Sequence, residues 1–265
     1  MIHLGQVPYG TALELQHTLL QLRKANRIEN TLLLLEHPAV ITLGRNAQLA
    51  NVLASPEFLA QRGVELFEID RGGDVTFHGP GQMVAYPIFD LRSFEPKVGA
   101  VEFVRRLEEV LIRTCGDFGI ATQRIKGLTG VWTYALRNKP AAKIAALGVH
   151  ISRGVTTHGF ALNVGTDLDF FTLIVPCGIT GKPVTSMERE LQKRIALEEV
   201  ATVVSRNFGR VFHSQMLWLE SLDDLLAQAA VAPKPGSAES PANQDTPARP
   251  PKQLRDLHGD GGELA

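Results

Sequence analysis

The sequence contains only two cysteines, Cys115 and Cys177. They allow at most one disulfide, and a chain of 265 residues needs none to hold a core, so a reducing cytoplasm is the simplest setting. An excess of charge is missing too: 27 Lys and Arg stand against 28 Asp and Glu, a formal net charge of -1. No overall positive field exists to hold nucleic acid or an anionic membrane, and any anionic partner must meet a local patch. No apolar run approaches the roughly 18 residues that a membrane span requires. Met1 to Gln6 has neither the basic region nor the long apolar region of a signal peptide. The expectation is a soluble, unprocessed protein that engages neither nucleic acid nor membrane.

The chain is 44% apolar and 21% charged, enough to bury a substantial core. Its last part differs. From Ala232 to Ala265 there are six of the 15 prolines and no Phe, Trp or Tyr, too little to offset the entropy of ordering. Residues 232–265 therefore read as a disordered, Pro-rich tail, and residues 1–231, with neither an internal repeat nor a long linker, as one domain. Helical spacing is seen over 11–24 and over 98–118, where Val101, Val104, Leu107, Leu111, Cys115 and Phe118 share a face. Further helices are expected over about 188–208 and 221–230. Short apolar or alternating runs at 31–35, 40–43, 64–69, 83–89, 131–135, 143–151 and 159–164 read as strands. Most follow one another without an intervening helix, which points to an α+β fold, a mixed sheet with flanking helices.

The densest polar cluster is Arg71-Gly72-Gly73-Asp74-Val75-Thr76-Phe77-His78-Gly79-Pro80-Gly81-Gln82. Its glycines let the backbone approach a ligand, and Arg71, Thr76, His78 and Gln82 offer donors to a polar group. A plain glycine-rich hairpin would have the same composition. Cys177 lies in a Pro/Gly-framed loop, where a thiol is either exposed and reactive or structural, while Cys115 sits on the apolar face of a helix. Lys143 begins an otherwise apolar strand, with its amine either in water at a sheet edge or turned into a pocket. His78, His150 and His158 with Cys177 show no short ligand spacing, so no metal site is expected.

These blocks resemble the lipoyl(octanoyl) transferases. The resemblance lies in Arg71-Gly72-Gly73, Thr76-Phe77-His78, Gly81-Gln82 and Tyr86, then in Lys143 to Val149 with His158-Gly159-Phe160-Ala161-Leu162-Asn163-Val164, and in Pro176-Cys177-Gly178-Ile179 with Val184 to Met187. It spans about residues 1–215 and implies the catalytic fold of biotin and lipoate protein ligases for the octanoyltransferase domain at 1–231. It further implies transfer of an octanoyl group from octanoyl-acyl carrier protein to a lysine of lipoyl domains, those of 2-oxoacid dehydrogenase E2 subunits and of the glycine cleavage H protein. By that resemblance Cys177 is the nucleophile and Lys143 its partner. Arg71, Gly72, Gly73, Asp74, Val75, Thr76, Phe77 and His78 line the substrate pocket with Ala146, Leu147, Gly148, Gly159, Phe160 and Ala161, and no cofactor is needed. A lysine ammonium would lower the thiol pKa from about 8.5, or Lys143 would serve as base on the incoming amine. Burying the seven carbons beyond the carbonyl is worth roughly 5 to 6 kcal/mol, and the small residues Ala145, Ala146, Gly148, Gly159 and Ala161 would leave room for them. The alternative on the same fold is an ATP-dependent lipoate or biotin ligase, which has no use for a nucleophilic cysteine. A thiol hydrolase using Cys177 and His78 is a further variant.

Overall fold

The computed structural model describes residues 1–176 and 182–231; Cys177 and the expected tail at 232–265 lie outside them. Among the described residues ten strands, β1 (Ile2–Gln6), β2 (Thr31–Glu36), β3 (Val40–Leu43), β4 (Glu65–Glu68), β5 (Val75–His78), β6 (Gln82–Ile88), β7 (Thr122–Ile125), β8 (Leu128–Thr133), β9 (Lys143–Ser152) and β10 (Val155–Asn163), form two sheets. The larger has the order β1-β2-β6-β10-β9-β8-β7, and the smaller β4-β3-β5. β1 runs parallel to β2 and β4 parallel to β3, and the other pairs are antiparallel. The mixed sheets and flanking helices agree with the α+β expectation.

Alternation along the strands gives the large sheet two apolar faces. In β2, Leu32 and Leu34 face one core with Met83, Ala145 and Leu162, while Leu33 and Leu35 face another with Val84, Tyr86 and Ala161. Helices α3 (Ala100–Asp117) and α5 (Leu197–Phe212) cover the first face with Phe103, Leu107, Leu111 and Phe208. Helix α1 (Tyr9–Lys24) covers the second with Ala12, Leu19 and Leu20, joined by Leu225 of α6 (Leu222–Val231). The small sheet packs Val75 and Phe77 with Leu59 of α2 (Pro56–Gln61) and with Phe171 and Ile174, in a third cluster.

Several elements depart from the sequence expectation. One helix over 188–208 is in fact two, α4 (Met187–Leu191) and α5, parted where Gln192 turns to φ 52°. Glu188 accepts the Ile195 N–H at 2.9 Å and holds the break, which hydrophobic periodicity alone cannot register. Val101 is 75% exposed because it lies off the stripe that Leu107, Leu111 and Cys115 define, six residues from Leu107 at 100° per residue. The short strands β1, β5 and β7 and helix α2 carry too few residues for a periodic signal.

Candidate active site

Strand β5 turns the 71–82 segment from a loop into part of a wall. Its four residues alternate: Val75 and Phe77 enter the third cluster, while Thr76 and His78 line a cavity against the second face of the large sheet. Phe77 stacks on Phe170 with ring centroids 4.8 Å apart, so two of the residues expected to meet substrate are packed behind the wall. Arg71, Gly73 and Asp74 line the same cavity, and across from them lie Ala146, Leu147 and Gly148 of β9 and Gly159, Phe160 and Ala161 of β10. Gly72 docks the turn on the large sheet by donating its N–H to Val149 O at 3.1 Å. Ala145, expected among the small residues making room for the chain, faces the core of α3 and α5 instead, because it alternates with Ala146.

Two glycines are required by close approach. A Cβ on Gly148 would stand 2.7 Å from Gly72 O, and one on Gly159 would stand 2.1 Å from Ala85 O, so a side chain at either position displaces backbone. The cavity floor includes residues that the sequence reading did not single out as substrate-binding: Tyr9, Val84, Tyr86 and His158. Tyr9 begins a helix and Val84 sits in an apolar strand, so neither carries a local signal. Only the pairing of β6 with β10 brings Val84 opposite Ala161.

The polar groups around the cavity are tied to one another. His37 Nδ1 lies 2.7 Å from Val7 O, so it carries the proton, and Nε2 accepts from Tyr86 Oη at 2.7 Å. Burial pushes His37 down to about 4. Burial likewise lowers His78 to about 3, with the neighbouring His37 adding to it, so both imidazoles are neutral near pH 7. His78 Nδ1 donates to Gln82 Oε1 at 2.8 Å, Gln82 Nε2 donates to Asn163 Oδ1 at 2.9 Å, and Asn163 Nδ2 donates to Thr185 O at 3.0 Å. Thr185 in turn donates its N–H to Lys143 O at 2.9 Å. A hydrogen-bonded row therefore runs from the cavity wall to the start of β9. Arg71 is buried, and its guanidinium donates to Thr42 O at 2.8 Å and to Gly72 O at 3.1 Å. Asp74 accepts from the Gln48 N–H at 3.2 Å and from Asn51 Nδ2.

Lys143 takes neither of the simple alternatives. It is 6% exposed, and its Nζ lies 4.9 Å from the centroid of the Trp132 ring, a cation–π contact. It is not among the residues lining the cavity; it stands three residues before Ala146, about 10 Å along the strand. Its backbone is clamped to the segment that follows Cys177, with Lys143 N–H donating to Pro183 O at 2.8 Å. Before Cys177, Val175 N–H donates to Asn51 O at 2.7 Å. Beneath β8, the buried Glu108 accepts the Gly130 N–H at 3.2 Å and pairs with Arg105 and Arg124. Cys115 is fully buried, and burial pushes its thiol up to about 12. Among the described residues no group of three or more His, Cys, Asp or Glu could hold a metal ion, and no helix is long and apolar enough to cross a membrane.

The lipoyl protein ligase A/B catalytic domain matches residues 8–209. Over 98% of its length the chain is 63% identical to an octanoyltransferase of Koribacter versatilis, covering 97% of that protein. An octanoyltransferase of Acidobacterium capsulatum is 59% identical, over 87% of this chain and 96% of that one. The chain belongs to the octanoyltransferases of this family. It is an acyltransferase. Its fold is also that of solved lipoate protein ligases. A bipartite lipoate protein ligase from Thermoplasma acidophilum superposes with a TM-score of 0.65 at 17% identity, over 86% of this chain and 89% of the other. A lipoate-protein ligase A bound with ATP gives 0.65 at 16%, over 86% and 92%. At such identities the likeness concerns the fold alone.

Proposed function

We propose that this octanoyltransferase takes the octanoyl group from the thioester of octanoyl-acyl carrier protein and delivers it to a lysine of lipoyl domains, those of 2-oxoacid dehydrogenase E2 subunits and the glycine cleavage H protein, by way of a thioester on Cys177. The Cys177 thiolate attacks the donor carbonyl, the carbon–sulfur bond to the carrier breaks, and the carrier thiolate leaves and takes a proton. The acceptor lysine amine then attacks the acyl-enzyme, an amide forms, and the Cys177 thiolate departs as the amine's proton passes to a base. A thioester is exchanged for a thioester and then for a more stable amide, so the sequence of steps needs no ATP. A reducing, cytoplasmic setting suits the thiol.

The observation that carries this reading is the backbone clamp between Lys143 and Pro183. It fixes the one buried lysine of the cavity-bearing strands beside the segment that leads back to Cys177. A cation there favours the thiolate, and the same amine, having given its proton to the departing carrier thiolate, accepts the proton in the second step. The cavity between Ala146, Gly148 and Ala161 receives the acyl chain, and Arg71, Asp74, Thr76 and His78 border it. The test is transfer to a purified lipoyl domain. Octanoyl-acyl carrier protein alone should support it, and free octanoate with ATP should not; the reverse pattern would establish a ligase instead. Accumulation of free octanoate without modification of the domain would establish the hydrolase.

A further inference from the structure

At the far end of the cavity from Lys143 stands His158, whose ring lines it. Within β10, a buried strand, His158 has φ 56°, a left-handed conformation that a non-glycine residue keeps only where its surroundings enforce it. The enforcement comes from helix α1. The pairing of β10 with β6 starts at Phe160 opposite Ala85, so the His158 N–H turns instead to Gln16 Oε1 at 2.7 Å. The turn puts the imidazole inside, edge-on to Tyr86 at 6.4 Å, with Nε2 2.8 Å from Asp70 Oδ1. Asp70 is half-exposed, and its other oxygen lies 3.6 Å from His150 Nε2. A carboxylate at the surface thus holds a buried ring across the end of the cavity.

We infer that Asp70 and His158 form the end wall of the acyl slot and set the length of the chain the enzyme accepts. The inference rests on the acyl-transfer reading above and adds its specificity. Across β9, Val149 stands opposite His158 and Ala146 opposite Ala161. The Lys143 side chain runs along β9, its Cε 3.3 Å from where a Cβ on Gly130 would stand and Ala145 O 2.9 Å from the same point, so an acyl carbonyl within its reach lies near the level of Ala146. From there to His158 is three residues, about 10 Å, close to the roughly 9 Å of an extended eight-carbon chain. A longer chain must push the imidazole aside and bring methylenes against the Asp70 carboxylate, which loses its hydrogen bond. The wall keeps its character across the physiological range. The His158 hydrogen bond is the chief cause holding Asp70 at about 2, and burial lowers His158 despite the carboxylate beside it. The pair is a carboxylate and a neutral imidazole that donates Nε2–H.

The test is a competition between octanoyl and dodecanoyl thioesters of acyl carrier protein at equal concentration, scored by the acyl masses on a lipoyl domain. His158→Gly removes the ring and keeps a residue at ease with positive φ; Asp70→Asn keeps the shape and removes the charge. The ratio of dodecanoyl to octanoyl product should rise by about tenfold or more in His158→Gly and by a few-fold in Asp70→Asn. Thermal unfolding of each variant shows whether it is folded, and Asp70→Asn carries the test if His158→Gly is not. A ratio unmoved in folded variants, with the wild type still preferring octanoyl, overturns the end wall and leaves the transferase reading intact. A wild type that transfers neither chain overturns both.

Discussion

The two faces of the large sheet are both buried, and they are built from different material. Under α3 and α5 the contacts are apolar, with Phe89, Phe103, Phe208 and Phe212 in mutual ring contact. Among the described residues, the buried ionisable groups on that side are Glu108, ion-paired to two arginines, and the Cys115 thiol. Under α1 and the small sheet the same depth of burial encloses His37, His78, His158, Tyr9, Tyr86 and Arg71. One face contributes stability through apolar burial. The other keeps neutral imidazoles and close glycine contacts around a cavity, where burial opposes charge and each polar atom needs a partner.

The two faces should differ most at the two cysteines. Cys177→Ala should abolish octanoyl transfer, whereas Cys115→Ala should leave turnover nearly intact. In the folded Cys177→Ala protein, Cys115 should resist iodoacetamide until unfolding, because burial raises its thiol to about 12. Ready alkylation of the native variant would show the α3 face to be open. Next in size, Lys143→Ala should slow acylation from octanoyl-acyl carrier protein at pH 7 by about a thousandfold, read by single-turnover mass spectrometry. An unchanged rate would remove Lys143 from the chemistry.

A substitution on the apolar face should do the opposite. Leu107 is fully buried in α3, so Leu107→Ala should cost about 3 kcal/mol of stability, measured by urea unfolding, with transfer at 25 °C little altered. The site face should instead confer acid sensitivity. His37 and His78 have folded pKa values of about 4 and about 3, below the unfolded 6.5. The unfolded state therefore takes up protons first, and stability falls as pH drops below 6.5 toward those values, by about 1.4 kcal/mol per pH unit for each imidazole. Asp70, lowered to about 2, adds its loss only below the unfolded value near 3.8. His78→Gln should flatten the decline in melting temperature between pH 6.5 and 4.5; a decline of undiminished slope would place the acid sensitivity elsewhere. The smallest effect should come from deleting residues 232–265, which lack aromatic anchors. A melting point or a KM for octanoyl-acyl carrier protein that shifts would show that the segment docks.

The apolar face was largely legible in the sequence, because Leu107, Leu111 and Cys115 repeat at helical spacing and β2 is a continuous run of leucines. Val101, which follows the apolar composition and not the stripe, marks the limit of that legibility. The site face was legible as a glycine-rich polar cluster at 71–82 and then through its resemblance to a family, in both cases without sidedness. Val75 and Phe77 belong to the same motif as Thr76 and His78, yet a two-residue strand period sends them to the other side of the wall. His158 was visible as a residue and not as a wall, since its positive φ depends on Gln16, 142 positions away. Tyr9, Asp70 and Gln16 acquire their places through contacts between distant segments, which no local window contains.

A covalent acyl-enzyme at Cys177 would be caught by intact mass and peptide mapping of the protein after brief incubation with octanoyl-acyl carrier protein and no acceptor. The protein should gain one octanoyl group, labile to hydroxylamine and confined to the peptide containing Cys177. A protein that transfers octanoyl to a lipoyl domain while never carrying the label, or carrying it elsewhere, would contradict it.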